Sequence, residues 1–160
     1  MDVSVVKADY ANPQHARAIP ALLNEYAKDP MGGGSPLSDQ VQQELVGKLA
    51  AIPHAFSVLA YVDGEPAGLV NCFEAFSTFA CKPIINIHDV VVLAPSRGAG
   101  LSQKMLAVVE EEARRRGACK VTLEVLSQNH VAKAAYEKFG FSGYELDPEA
   151  GVALFWEKKI

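Results

Sequence analysis

The chain is poor in the features that would hold a fold together from outside its core. Its three cysteines, Cys72, Cys81 and Cys119, are odd in number and lack metal-ligand spacing. They therefore read as reduced thiols rather than as a disulfide framework or a metal site, and Cys119, just ahead of a strand-like run, is assigned to the core. Basic residues are in deficit, with 15 Lys and Arg against 19 Asp and Glu and a net charge of -4. Such a surface offers no field to draw in DNA or RNA. No apolar run reaches membrane-spanning length, and Met1 to Lys7 lacks the apolar core and cleavage site of a signal peptide, so a cytoplasmic protein with no membrane partner is expected. Repeats and low-complexity stretches are missing too. With 49% apolar and 21% charged residues over 160 positions, residues 1–160 read as one globular domain.

Several elements are legible from pattern. Val3 to Lys7 is β-branched and suits an opening strand. Asn12 and Pro13 resemble a helix cap and first turn, with Ile19, Leu22, Leu23 and Tyr26 on one face and Pro20 marking a kink or a later start. Asp29 to Pro36 breaks that helix; Ser38 can cap a second one striped by Val41, Leu45 and Leu49. Phe56 to Val62 and Ala67 to Phe73 form a hairpin about Asp63-Gly64-Glu65-Pro66. A further turn is placed at Lys82-Pro83. Ile84 to Leu93 then reads as a central strand buried on both faces, interrupted only by Asn86, His88 and Asp89.

From Gly100 a strong helix is expected, closed by Gly117, with Lys120 to Val125 as the next strand. A strand-helix-strand unit of this kind makes a parallel pair. Asn129 to Phe139 is the last helix, with Val131, Ala135 and Phe139 as its core face, and Phe141 to Tyr144 and Val152 to Glu157 are expected to be closing strands.

Arg97-Gly98-Ala99-Gly100-Leu101-Ser102 falls where a strand end meets a helix start. Exposed N–H groups and the positive end of a helix dipole favour phosphate there, and glycines let a ligand approach the backbone. The turn lacks the position of a dinucleotide fingerprint and the Gly-Lys-Ser/Thr ending of a P-loop.

These residues resemble the GNAT superfamily of N-acetyltransferases, whose signature after the fourth strand is Arg/Gln-x-x-Gly-x-Gly/Ala. Ser102 departs from it at the last position. A second match follows, since Asn129, Ala132, Tyr136, Gly140 and Phe141 fit the family's Asn-x-x-Ala-x-x-x-Tyr-x-x-x-Gly-Phe pattern. The resemblance covers nearly the whole chain and is weakest over residues 29–53 and 74–83.

The resemblance implies an α/β (α+β) fold, with a mixed, mostly antiparallel sheet of about seven strands, about four helices and a splayed pair of parallel central strands. It implies acetyl-CoA as cosubstrate and no metal. The cofactor would lie against Val90, Val91, Val92, Arg97, Gly98, Ala99, Gly100, Leu101, Ser102, Asn129, Ala132 and Tyr136. Direct attack of an amine on the thioester needs a base, an oxyanion donor and an acid for the departing sulfur. By resemblance Tyr136 is the acid and a backbone N–H of Val90 to Val92 the oxyanion donor. His88 stands where some family members place a catalytic glutamate, and an imidazole titrates near the working pH. Asp89 is expected on the opposite strand face, a water chain could replace a dedicated base, and Asn86 and Glu74 are weaker alternatives. His130 is expected to be exposed; His15 and His54 receive no role.

The amine acceptor has no sequence signature, although Phe73, Glu74, Phe76, Phe79 and the Met31 to Leu37 loop suit its pocket. An open strand edge would permit a homodimer. A noncatalytic acyl-CoA-binding or sensing domain is the alternative function, and a partner-binding module with a purely structural glycine turn is a second.

Overall fold

The computed structural model describes residues 1–143 and 147–160. Five strands form one sheet in the order β1-β2-β3-β4-β5: Val3–Lys7, Ala55–Val62, Glu65–Ser77, Lys82–Val92 and Lys120–Leu123. Neighbours are antiparallel except β4 and β5, which run parallel. The helices are α1 (Pro13–Lys28), α2 (Asp39–Ala50), α3 (Leu101–Arg115) and α4 (His130–Phe139).

Local chemistry explains most boundaries. Asn12 and Ser38 cap α1 and α2 through side-chain oxygens, each satisfying N–H groups that the first helical turn leaves unpaired. Pro20 lies inside α1, which runs from Pro13 without a break. Asp63 and Gly64 both take positive φ between β2 and β3, the backbone of a two-residue hairpin turn. Gly117 and Gly140 close α3 and α4 in left-handed conformations, as glycines readily do.

The two sheet faces carry separate cores. Phe56, Val58, Val70, Ile85, Ile87 and α3 residues Leu101, Met105, Leu106 and Val109 pack on one side. Ile19, Leu22, Leu49, Leu59, Leu69 and Val91 pack on the other, under α1 and α2. Leu106 is fully buried, so Leu106→Ala is expected to lower the unfolding free energy in urea by about 2–5 kcal/mol, the usual cost of such a cavity.

Several expectations are corrected. The described residues contain five strands, not about seven: Phe141 to Gly143 and Val152 to Glu157 lie outside any strand, and Tyr144 falls outside the described residues. Leu154, Phe155 and Trp156 are 71%, 78% and 83% exposed; β-prone composition forms no strand without a ladder to join. The β3–β4 turn lies before Lys82, with Lys82 and Pro83 already in β4. That strand is not buried throughout, because β5 covers only Ile84 to Ile87 of it. Cys119 and Val131 are exposed, not core. No helix among the described residues is long and apolar enough to cross a membrane.

Candidate functional site

The parallel pairing of β4 with β5 stops at Ile87 and Leu123, while β4 continues to Val92. The Leu93 N–H donates to the Ala67 carbonyl, and hydrogen-bonded pairs alternate in an antiparallel ladder. With Val91 opposite Leu69 and Val90 opposite Val70, Val91 bonds toward β3. The backbone groups of Val90 and Val92 therefore face the side that β5 has left. Arg97 Nε reaches the Val92 carbonyl there at 3.2 Å, folding its guanidinium back against the strand end.

At the far end of Arg97 to Ser102, Gly98 and Gly100 have φ of 83° and 75°. Gly100 is the N-cap of α3 and makes no side-chain cap, unlike Asn12, Ser38 and Asn129 on the other α-helices. A Cβ built on either glycine meets nothing within 4 Å. First-turn N–H groups of α3 thus front an open space, the arrangement that favours an anion. Asn129 Oδ1 accepts from the Ala132 N–H at 3.3 Å, so this side chain caps α4.

Tyr136 is half-buried and packs against the α3-side core beside Phe139 and Phe141. It thus packs with Phe139, although the spacing of Asn129, Ala132 and Tyr136 predicts a face of α4 apart from the core face of Val131, Ala135 and Phe139. Its hydroxyl makes no hydrogen bond among the described residues, and burial, with a smaller effect from Tyr26, pushes the phenol up to about 12. Tyr26, on α1, is itself raised by burial first and then by Asp89 and Asp29. Its phenol therefore lies within electrostatic reach of both Tyr136 and Asp89, a link that the sequence pattern did not mark.

The most consequential difference concerns His88 and Asp89. Asn71 pairs with Asp89 but its neighbour Cys72 pairs with Ile87, so His88 is the extra residue of a β-bulge. The bulge resets the alternation and brings the two side chains together instead of onto opposite faces. His88 Nδ1 lies 3.3 Å from Asp89 Oδ2, and its ring meets Phe73 edge-on at 5.8 Å. Asp89 Oδ2 also accepts from Asn71 Nδ2 at 3.1 Å.

The weaker alternatives have other partners. Asn86 Nδ2 donates to Thr122 Oγ1 at 3.0 Å, linking β4 to β5. Glu74 pairs with Arg116, which also holds buried Glu112 and stacks on Phe56; Lys7 and Arg115 complete the partners of Glu112. His130 is exposed. Phe76 and Phe79 are exposed as well, whereas Phe73 lies between the rings of His54 and His88. A groove of about 320 Å³, lined by Leu106, Val109, Val121, Phe139 and Phe141 among others, opens at the opposite end of α3 from the glycine turn.

The open edge of β4, the α3 N-terminus without a side-chain cap and the His88–Asp89 pair all lie along β4 and the turn that follows it. The chain belongs to the Acetyltransferase (GNAT) family, whose profile matches residues 19–141. It is 26% identical over 143 residues to the uncharacterized N-acetyltransferase YhfO of Bacillus subtilis, covering 86% of this chain and 88% of that one. It is 33% identical over 93 residues to the aminoalkylphosphonate N-acetyltransferase of Salmonella typhimurium, a match spanning 58% of each chain. In fold it is similar to the AAC(6')-Iy structure in complex with the bisubstrate analog CoA-S-monomethyl-acetylneamine, with a TM-score of 0.79, 15% identity and full coverage of both chains.

Proposed function

We propose that the protein moves an acetyl group from acetyl-CoA directly to a primary amine of a small molecule or peptide. The observation that carries this reading is the bulge at His88, which sets an imidazole–carboxylate pair beside the stretch of β4 that β5 leaves open. In this reading the CoA pyrophosphate lies on the N–H groups of the Arg97 to Ser102 turn and the pantetheine arm pairs with the Val90 carbonyl and the Val92 N–H, the Val92 carbonyl being held by Arg97. Ala132 leaves room beside the thioester. His88 takes a proton from the acceptor's ammonium to free the attacking amine, the Val90 N–H steadies the oxyanion formed on attack, and Tyr136 donates a hydrogen bond to the departing sulfur. The carbon–nitrogen bond forms to give a tetrahedral adduct, the carbon–sulfur bond then breaks, and the second proton shed by the nitrogen ends on the thiolate, giving an amide and CoA thiol.

The test is CoA release from acetyl-CoA across amines, amino acids, aminoalkylphosphonates, aminoglycosides and peptide N-termini. Turnover with at least one class is expected; acetyl-CoA binding without release across all of them would overturn the catalytic reading.

The glycine turn gives a matched prediction. Gly100 and Gly117 bracket α3 with φ of 75° and 74°, and a Cβ on either meets nothing within 4 Å. Alanine at each should cost a similar ~1–2 kcal/mol of stability, because left-handed backbone penalises a Cβ. Only Gly100→Ala should also raise the KM for acetyl-CoA, by about tenfold, equivalent to ~1.4 kcal/mol. Equal KM values for Gly100→Ala and Gly117→Ala would remove the phosphate from this turn.

A further inference from the structure

Two polar residues sit in the middle of the sheet where an apolar pair would pack more simply. Ser57 on β2 is 0% exposed and Asn71 on β3 is 4% exposed, and they are register partners. Ser57 Oγ donates to Asn71 Oδ1 at 2.6 Å. Asn71 Nδ2 donates to Asp89 Oδ2 at 3.1 Å. The Tyr10 hydroxyl lies 2.9 Å from Ser57 Oγ. The direction of every bond follows from the inventory of protons. An ionised carboxylate only accepts, so the amide must present its N–H to Asp89 and its oxygen to Ser57; the single Ser57 proton is thereby spent, and Tyr10 must donate to Ser57. A continuous chain of donors thus runs from Tyr10 through three strands and ends on the carboxylate beside His88 Nδ1.

We infer that Tyr10, Ser57 and Asn71 are positioning residues that fix the Asp89 carboxylate against His88 Nδ1, holding the proton on Nδ1 and leaving Nε2 as the basic nitrogen. The inference rests on the reading of His88 as the base. Buried amides do not relay protons as hydroxyls do, so with Asn71 at its centre the chain is a brace and not a proton path. Its members polarise one another in the same sense, and the bulge at His88 places the imidazole at its end. His88 Nδ1 and Asp89 Oδ2 approach to 3.3 Å as a charge pair, and a carboxylate facing one ring nitrogen favours the tautomer that carries its proton there. Among the described residues, other charged or titratable groups near this network are Tyr26 on α1 with Asp29 at its end, Tyr136 within reach of Tyr26, His54 across Phe73 from His88, and, on the α3 side of the sheet, Cys72 and the α3 C-cap Arg116.

The test is a set of double-mutant cycles on the full chain, read as kcat/KM for a primary amine against pH, with acetyl-CoA KM and thermal unfolding recorded alongside. Ser57→Ala and Tyr10→Phe each remove a donor with little change of shape. Each is expected to lower kcat/KM by about 5–20-fold, to displace the acidic limb of the profile and to leave the acetyl-CoA KM within twofold. In the His88→Ala background both substitutions should have no further effect. Equal losses in both backgrounds would assign Ser57 and Tyr10 to structure alone and overturn the inference, as would unaltered kcat/KM and pH profile in the single variants. If His88→Ala itself leaves rate and profile unchanged, the failure lies in the reading of His88, and the inference falls with it.

Discussion

Tyr136→Phe is expected to lower kcat by about 10²–10³-fold at saturating acetyl-CoA and amine while leaving the acetyl-CoA KM within a few-fold of the parent. The ring packs against the α3-side core and Phe141, so phenylalanine keeps the packing and removes only the hydroxyl. Burial pushes that phenol up to about 12, so it holds its proton over the whole working range. Full transfer to a thiolate whose acid has a pKa near ~8.5 is uphill by roughly 3–4 units, so the hydroxyl contributes chiefly a hydrogen bond that strengthens as charge builds on sulfur. Removing one such preorganised donor typically costs ~10²–10³ in kcat. Because the phenol is raised in the folded state, its contribution to stability is complete below pH ~10 and is lost as pH rises through about 12. The kcat profile below pH ~10 should therefore keep its shape in the variant, since Tyr136 holds its proton throughout that range. Single-turnover rates that match the parent would remove Tyr136 from the chemistry.

The glycine turn, the caps and the hairpin were legible because each rests on local chemistry. Asn12, Ser38, Gly117 and Gly140 act within a turn of their own helices, and Arg97 to Ser102 announces a glycine-rich strand-to-helix turn by composition. The relation of His88 to Asp89 was not legible, because alternation along a strand assumes an unbroken ladder. The register shift between Asn71 and Cys72 depends on how β3 meets β4, which no short window contains. The partners of Glu74 and Asn86 were not legible for a related reason, Arg116 and Thr122 lying 42 and 36 residues away. Ser57 and Asn71 did carry a signal, as isolated polar residues inside the runs Ala55 to Tyr61 and Ala67 to Cys72. Buried polar side chains need partners, and two such runs paired as a hairpin supply them to each other. The strand expected at Val152 to Glu157 failed in the opposite way: Leu154, Phe155 and Trp156 have strand-like character but no ladder to join.

His88→Ala is expected to remove the acidic limb of kcat/KM for the amine and to lower the rate at pH 7 by about 10²-fold, the lower end of what a positioned base supplies. The sign follows from the role. A base works only without its added proton, so activity that depends on His88 should fall as pH falls, and alanine has no proton to gain. The acceptor must be chosen with care, because its own ammonium also has to lose a proton. A lysine-like amine titrates near ~10.4, well separated from the imidazole range, so its limb should survive the substitution while the lower one disappears. Asp89→Asn then separates orientation from basicity. Its amide keeps the size of the side chain and loses the charge that holds a proton on His88 Nδ1, 3.3 Å away, so it should reduce the rate in the parent and have no effect once His88 is alanine. A lower limb that persists unchanged in His88→Ala would show that water, not the imidazole, carries the proton from the amine.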